Sequence, residues 1–442
     1  MSEPTETPSW GAILTLALPA LGALVAEPLY VLGDTAIVGR LGALPLAGLA
    51  LGGLLLGEVL GLCTFLEYGT TAKAARLAGA GDEQGAYDIG VQATWIALAL
   101  GLVAIVLLEL AAAPVLDLMS QGNADHAAVA LRWFRVAALG SPFVLIIAAS
   151  QGWLRALKDT RTGFLVLVAS NVLSVVLSAV LVLGFDLGVV GSAVANVVAQ
   201  LLGALVFLAL LRRRATRLRP QLAVLLSQLA AARDLGIRSF AFAASFLIAA
   251  SIASGMGTAQ LDAHQIGFQL WILIALALDA LAIAGQALIG NLLGAGSLDA
   301  ADRLARKLLI GGTLFGAGVG ALMAAGYDVI PALFSSDHDV RDQARIVWPW
   351  LVGTLPVAGA LFALDGVFFG AGDLRFMRTV TLAAAVGGLI PMLILTARMG
   401  LGLGGIWAGI ALFIGIRAVA GLLRWRSKRW LVAGTELADV AS

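Results

Sequence analysis

Cysteine is almost missing from this chain: Cys63 is the only one among 442 residues, and it sits in an apolar run. A disulfide framework and a thiolate metal cluster are thereby excluded. Histidine is scarce as well. His126, His264 and His338 are far apart in sequence and lack cysteine partners, so no zinc site is expected. Charge is the third shortage. Charged residues make up 12% of the chain, where a soluble domain carries roughly 25%, and the formal net charge of +1 gives no reason to expect a nucleic-acid partner. GAGD occurs at 79–82 and again at 370–373, but the Gly-Lys-Ser/Thr that completes a phosphate loop is missing both times. Both read as cytoplasmic turns, with Asp373 expected to cap the helix that follows. The opening MSEPTETPSW has no basic stretch, so no cleavable signal peptide is expected and the first apolar helix would serve as its own insertion signal.

What the chain has instead is apolar length. Hydrophobic residues make up 60% of it and glycine contributes 53 positions; the mean hydropathy is +0.97. At ~20 apolar residues per crossing, twelve spans are expected near 11–36, 44–68, 86–111, 128–152, 163–184, 188–211, 236–255, 260–290, 306–330, 344–368, 377–398 and 402–423. With the N-terminus placed inside, 22 Lys and Arg fall nearer the cytoplasmic ends and 6 nearer the outside. That bias follows the positive-inside rule and places both termini in the cytoplasm. The basic stretch Arg212 to Arg219 lies at mid-chain and reads as a linker that also meets anionic headgroups. The expected organisation is a bundle over 1–211, a cytoplasmic linker over 212–235, and a second bundle over 236–442.

The two halves repeat. PFVLIIAASQGWLRALKDTR (142–161) and PVAGALFALDGVFFGAGDLR (356–375) align at an offset of 214, matching Pro142 with Pro356, Gly152 with Gly366, Asp159 with Asp373 and Arg161 with Arg375. Six spans per half is an even number, so both halves enter the membrane from the same side. The repeat axis then runs along the membrane normal, as in transporters whose halves rock around a central site.

One stretch, Leu18 to Gly42, combines spanning length with two prolines, Pro19 and Pro28, and two carboxylates, Glu27 and Asp34. Each proline removes an intrahelical hydrogen bond, so this helix is expected to bend or loosen. The carboxylates are two turns apart and share a face. A charge at the bilayer centre costs at least ~2.5–3.5 kcal/mol, which makes such residues candidates for an ion path or substrate site. A breakable helix with a buried acid suits a proton- or cation-driven transporter.

Three stretches carry a family resemblance. Asp34-Thr35-Ala36 followed by VGRLG (38–42) resembles the first helix of multidrug and toxic compound extrusion (MATE) transporters, especially their DinF-like branch. LDAHQIGFQLWILIALALDALAIAGQALIG (261–290) resembles helix 8 of that branch and LDGVFFGAGDLR (364–375) its helix 10. The resemblance implies an all-α integral membrane fold, with twelve helices in two six-helix bundles about a V-shaped central cavity. It also implies efflux of bulky, often cationic compounds against an inward flow of protons or sodium. Asp34 matches the family's helix-1 protonation or cation site. Asn171, Ser174 and Ser178 fall where many relatives carry Asn, Asn and Asp, so Asp34 lacks a frequent carboxylate neighbour here.

The remaining polar positions admit two readings. Asn171, Ser174 and Ser178 share one face of helix 5, and Asn196 and Gln200 one face of helix 6. They either line a substrate cavity or stitch helices together at roughly 0.6–2 kcal/mol each. In the second half Asp279 and Gln286 share a face of helix 8, and Asp365 lies in helix 10, with no basic residue expected near mid-membrane to neutralise either aspartate. Tyr30 and Trp271 lie within spans, where they would stack on a cationic or aromatic substrate or simply pack. Trp348, Trp350, Trp425 and Trp430 read as interface anchors. Glu67 is expected to reach toward Lys73, and Glu109 to sit near an interface.

The expected activity is therefore secondary active export of small molecules, not enzymatic catalysis, from a bacterial inner membrane. No cofactor is expected beyond the coupling ion, a proton in preference to sodium because the first half offers a single firm carboxylate. The protein is read as a monomer with membrane lipid around it. A lipid or lipid-linked sugar flippase of the same superfamily is the competing reading, disfavoured by the carboxylates in place of basic residues within the spans. An intramembrane enzyme would need a nucleophile–base pair or metal constellation, and the spans contain neither.

Overall fold

A computed structural model describes residues 6–437, and every regular element among them is helical. Eleven helices are long and apolar enough to cross a membrane, and twelve spans result if a helix pair bent by 52° counts as one. The bend falls in the expected span 128–152, between α5 (Ala124–Ala138) and α6 (Ser141–Ala156). Pro142 stands at the start of α6 after Gly140, where its missing N–H costs nothing and its fixed φ begins a new helix in a new direction.

The chain divides into two compact units. The N-terminal unit, residues 18–232, takes most of α1 (Trp10–Val38), then α2 (Ala43–Gly61) and α3 (Phe65–Gly79), which a 3-10 turn at Leu62–Thr64 joins into one span. It continues with α4 (Glu83–Met119), α5, α6, α7 (Thr160–Ala179) and α8 (Gly188–Arg214). Side-chain caps fix the helix starts: Asp82 Oδ1 accepts from Gly85 N at 2.7 Å, Asn123 Oδ1 from His126 N at 3.1 Å, and Asp159 Oδ1 from Thr162 N at 3.0 Å. Trp153 and Phe207 anchor one apolar cluster of this unit, Trp133 and Phe134 another.

The C-terminal unit starts at Arg233, within α9 (Leu222–Met256), and includes the described residues before Leu18. It contains α10 (Thr258–Gly294), α11 (Leu298–Ala325), the short α12 (Val329–Phe334), α13 (His338–Ala371), α14 (Leu374–Ala384), α15 (Ile390–Met399) and α16 (Gly402–Arg426). A π-helical turn, Ala385–Leu389, links α14 to α15. Its largest apolar cluster gathers Trp348, Leu355, Trp407 and Phe413 from α13 and α16. The start of α1 is tied to α11. Arg303 Nε donates to Thr7 Oγ1 at 2.9 Å, Lys307 Nζ donates to the Pro8 carbonyl at 2.8 Å, and the Lys307 ammonium lies 5.3 Å from the Trp10 ring centroid.

Helix α1 is continuous through Pro19 and Pro28. Within the stretch 212–235 expected as a linker, α8 runs to Arg214 and α9 is already helical at Leu222. Its irregular part is held to α4: Trp95 Nε1 donates to the Leu218 carbonyl at 2.9 Å and Gln92 Nε2 to the Arg219 carbonyl at 3.0 Å. Of the four tryptophans read as interface anchors, Trp348 and Trp430 are fully buried, their indole N–H groups donating to the carbonyls of Met323 and Trp425 at 2.8 and 3.2 Å. An indole packs apolar on all sides once that one donor has found an acceptor.

The repeat is visible in packing. A side chain at Gly152 would meet the Glu67 carbonyl oxygen at 2.7 Å, and one at its counterpart Gly366 would overlap the Ala282 carbonyl. Both glycines let two helices approach backbone to backbone. Gly366→Val is expected to lower stability by about 1–3 kcal/mol through overpacking. Gly353→Ala, on the same helix but facing open space, should leave it unchanged; thermal unfolding in detergent measures both.

Candidate functional site

Asp34 lies on the last turn of α1 and is only 3% exposed. Its Oδ1 accepts a hydrogen bond from Ser178 Oγ of α7 and its Oδ2 one from Ser192 Oγ of α8, both at 2.6 Å. Ser192 Oγ in turn accepts from Trp133 Nε1 of α5 at 3.3 Å. An indole N–H only donates, so this chain directs the Ser192 hydrogen toward the carboxylate. Distances of 2.5–2.7 Å are those of a hydroxyl donating to an ionised oxygen. Helices α1, α5, α7 and α8 thus converge on one carboxylate.

A cavity of about 720 Å³ opens beside it within the N-terminal unit. Glu27, Tyr30, Asp34, Asn196 and Gln200 all line it. Tyr30, one helical turn before Asp34, accepts from Asn196 Nδ2 at 2.5 Å through its hydroxyl oxygen. Glu27, one further turn along, is exposed to this space rather than to the outer surface of the unit. Asn171 and Ser174 are buried next to Glu27 and Tyr30 respectively, without well-formed hydrogen bonds of their own. Ser178, the departure from the family's aspartate, keeps a direct bond to Asp34.

Two members of this site were not singled out in the sequence. Ser192 precedes Asn196 and Gln200 by one and two helical turns, so extending that polar stripe by four residues would have found it. Trp133 gave no such signal, because an indole on an apolar helix face reads as core. Glu67 pairs with Arg155 of α6, and both line the same cavity.

The positions expected in the second half do not line this cavity. Asp365 is no unneutralised aspartate. Its Oδ2 accepts from Arg238 Nη2 of α9 at 2.8 Å and from Arg417 Nη2 of α16 at 2.7 Å. The two arginines, read from the sequence as loop residues, lie among aromatic rings, Arg417 4.7 Å from the Phe242 ring centroid and Arg238 5.1 Å from that of Phe369. Their side chains hide in the bundle because the rings and the carboxylate together replace water. Asp279 is half-buried on α10, Gln286 fully buried, and Trp271 packs against the apolar cluster. Asp373 does not cap α14 with its side chain. Arg424 takes its two oxygens at 2.7 and 3.1 Å, a bidentate, charge-assisted pair stronger than a bond to one backbone N–H. Glu109 pairs with Arg135 at 3.4 Å.

Ser192→Ala removes one of the two hydroxyls from a charged acceptor and should destabilise the protein by about 1.5–3 kcal/mol. Asp365→Asn leaves two buried guanidinium groups without their counter-ion and should cost more, about 3–5 kcal/mol. Chemical unfolding of the purified variants in detergent ranks the two.

Among the described residues no group of three or more His, Cys, Asp or Glu is placed to hold a metal ion. Comparison with known proteins matches residues 19–180 and 235–394 to the MatE family, one match in each repeat. The chain is 30% identical to the DNA damage-inducible protein F of Escherichia coli strain K12, over 97% of this chain and 95% of that one. It is 31% identical to the chloroplastic protein DETOXIFICATION 44 of Arabidopsis thaliana, over 94% of this chain and 81% of that one. Among solved structures, the Vibrio cholerae MATE transporter VcmN in its bent form superimposes with a TM-score of 0.86 at 20% identity, covering 96% of this chain and 98% of that one. A multi-pass helical chain built of two repeats, with a buried helix-1 carboxylate and the MatE match in both halves, belongs to the MATE family of transporters, with DinF among its relatives.

Proposed function

We propose that this protein exports cationic or amphipathic small molecules in exchange for protons, with Asp34 as the coupling carboxylate. The observation that carries this reading is the pair of hydroxyl bonds on Asp34. In its charged form the carboxylate satisfies both serines and binds α1 to α7 and α8. A proton adds a donor to a group that in its charged form only accepts. The serine it points toward must turn its own hydrogen elsewhere, and the neutral acid accepts more weakly from the other. Protonation therefore weakens the network that holds this end of α1, and Pro19 and Pro28 mark where the helix has fewest backbone bonds to resist the change.

The cavity supplies the substrate half of the exchange. Glu27 and Asp34 attract a cation, and the Tyr30 ring offers a face for it. A cation and a proton on Asp34 compete for the same negative charge, which is the linkage an antiporter requires. Sodium is disfavoured, because both oxygens of Asp34 already receive hydroxyl hydrogens and a metal ion would need those groups reversed. The proton is then the coupling species and no bound cofactor takes part. The bias of basic residues supports a topology with both termini in the cytoplasm, in a bacterial inner membrane on this reading, and one chain contains the whole cavity, which supports a monomer. A flippase for anionic pyrophosphate lipids would need arginine or lysine in excess on this wall, where three carboxylates face one arginine.

Ethidium uptake into inverted membrane vesicles tests the reading under an imposed proton gradient and, separately, a sodium gradient. Proton-driven uptake by the wild type that disappears in Asp34→Asn, with the variant present at normal level, is the expected outcome. Normal uptake by Asp34→Asn under the same gradient would remove Asp34 from the coupling step.

A further inference from the structure

The wall of the N-terminal cavity carries six ionisable groups, Glu27, Tyr30, Asp34, Cys63, Glu67 and Arg155. Export as proposed above uses the first three, and it leaves the Glu67–Arg155 pair idle. That pair stands at the opposite end of the cavity. Asp34 is four residues from the end of α1, the chain then reverses, and Glu67 follows 24 residues after the start of α2, roughly 35 Å of helix away from the turn. The α5–α6 span agrees: Trp133 touches the Asp34 network, whereas Arg155 is one residue from the far end of α6.

The pair is built into a tight seam. Thr71 Oγ1 donates to the Glu67 carbonyl at 2.9 Å and to the Gly152 carbonyl at 3.0 Å, and Gly152 has no side chain to hold α3 and α6 apart. The Thr71 hydroxyl and the bare Gly152 thus fasten the seam beside the ion pair. For packing alone, two apolar side chains would fill such a place at lower desolvation cost. Its side chains are nonetheless largely buried, Arg155 4% and Glu67 16% exposed, and they face a space wide enough for water and polar lining. The 3-10 turn at Leu62–Thr64 interrupts the span directly before Glu67, the kind of irregularity that marks a hinge or a functional position.

We propose that Glu67 is a second proton-carrying group of the transport cycle, taking protons that have left Asp34 and releasing them at the far end of the cavity. This rests on the proton-coupled reading. The proton lost by Asp34 crosses the cavity and joins the Glu67 carboxylate, which becomes a neutral acid. Arg155 then stands beside it as an unbalanced positive charge. In that state the far end of the cavity repels a cation. Once the proton leaves to the bulk, the neutral ion pair re-forms and a cationic substrate can enter. Arg155 thereby orders the exchange: proton out first, cation in second.

The test uses the full-length protein and ethidium as the probe. Glu67→Gln and the double variant Glu67→Met/Arg155→Met are compared with wild type and Asp34→Asn in three assays: ethidium binding, ethidium counterflow without an ion gradient, and proton-driven ethidium transport with proton release recorded in the same vesicles. The proposal expects the double variant, which keeps the bulk and loses both charges, to bind and exchange ethidium within about twofold of wild type, yet to lose about tenfold or more of the proton-driven rate. Glu67→Gln, which leaves the Arg155 charge unbalanced, is expected to lose ethidium binding and counterflow as well. Full proton-driven transport by the double variant would show the pair to be structural and overturn the proposal. Loss of binding or counterflow in the double variant, or wild-type binding by Glu67→Gln, would overturn it as well. A wild type that shows no proton-driven transport, or an Asp34→Asn variant that retains it, would instead mark failure of the underlying reading.

Discussion

A carboxylate withdrawn from water keeps its charge only where hydrogen-bond donors stand in for the water it has lost. At Asp34 two serine hydroxyls do this, one from α7 and one from α8, and an indole from α5 sets the direction of the second. Three other helices are thus oriented by the needs of one side chain on α1. The same requirement suits a serine at 178: the position donates to Asp34, and a hydroxyl donates without adding a second negative charge.

The two units have met the problem of buried charge in opposite ways. In the N-terminal unit acids face an open cavity and are balanced by hydroxyls, an amide-bearing stripe and a single arginine. In the C-terminal unit Asp365 is overbalanced by two arginines set among phenylalanine rings, both donating to one carboxylate oxygen. The repeat has diverged at its turns as well. Asp159 caps α7, whereas its counterpart Asp373 is taken by Arg424. What both halves kept is a bare glycine at a close helix approach, Gly152 and Gly366. Packing at a helix crossing admits one solution; the use of a carboxylate near it admits several.

Much of this was legible in the sequence because lipid imposes few options. Spanning length, the charge bias of the loops and the 214-residue offset all follow from one-dimensional patterns. Asp34, Tyr30, Glu27 and the polar stripes of α7 and α8 were legible for the same reason, since a polar residue in an apolar run stands out. Pairing was not. Arg238 and Arg417 were counted only with the basic residues nearer the cytoplasmic side, whereas both lie well inside α9 and α16 and turn inward to a carboxylate among aromatic rings. Trp133 and Trp348 were opaque because an indole gives the same signal at an interface, in a core or at the end of a hydrogen-bond chain. Nor could spacing alone choose between Lys73 and Arg155 for Glu67, since the latter contact crosses from α3 to α6.

The clasp at the start of α1 has a bearing on how the protein is made. Thr7 and Pro8 find their partners on α11, 296 and 299 positions later in the chain. At 5–20 residues per second, a ribosome needs about 15–60 s to supply that helix after the first one has emerged. Through that interval the start of α1 lacks those partners, while the rest of its length can already pack with its own unit. A segment made long before α11 therefore reaches its final contacts only after it, and the element that carries Asp34 is not fastened at both ends until α11 is in place.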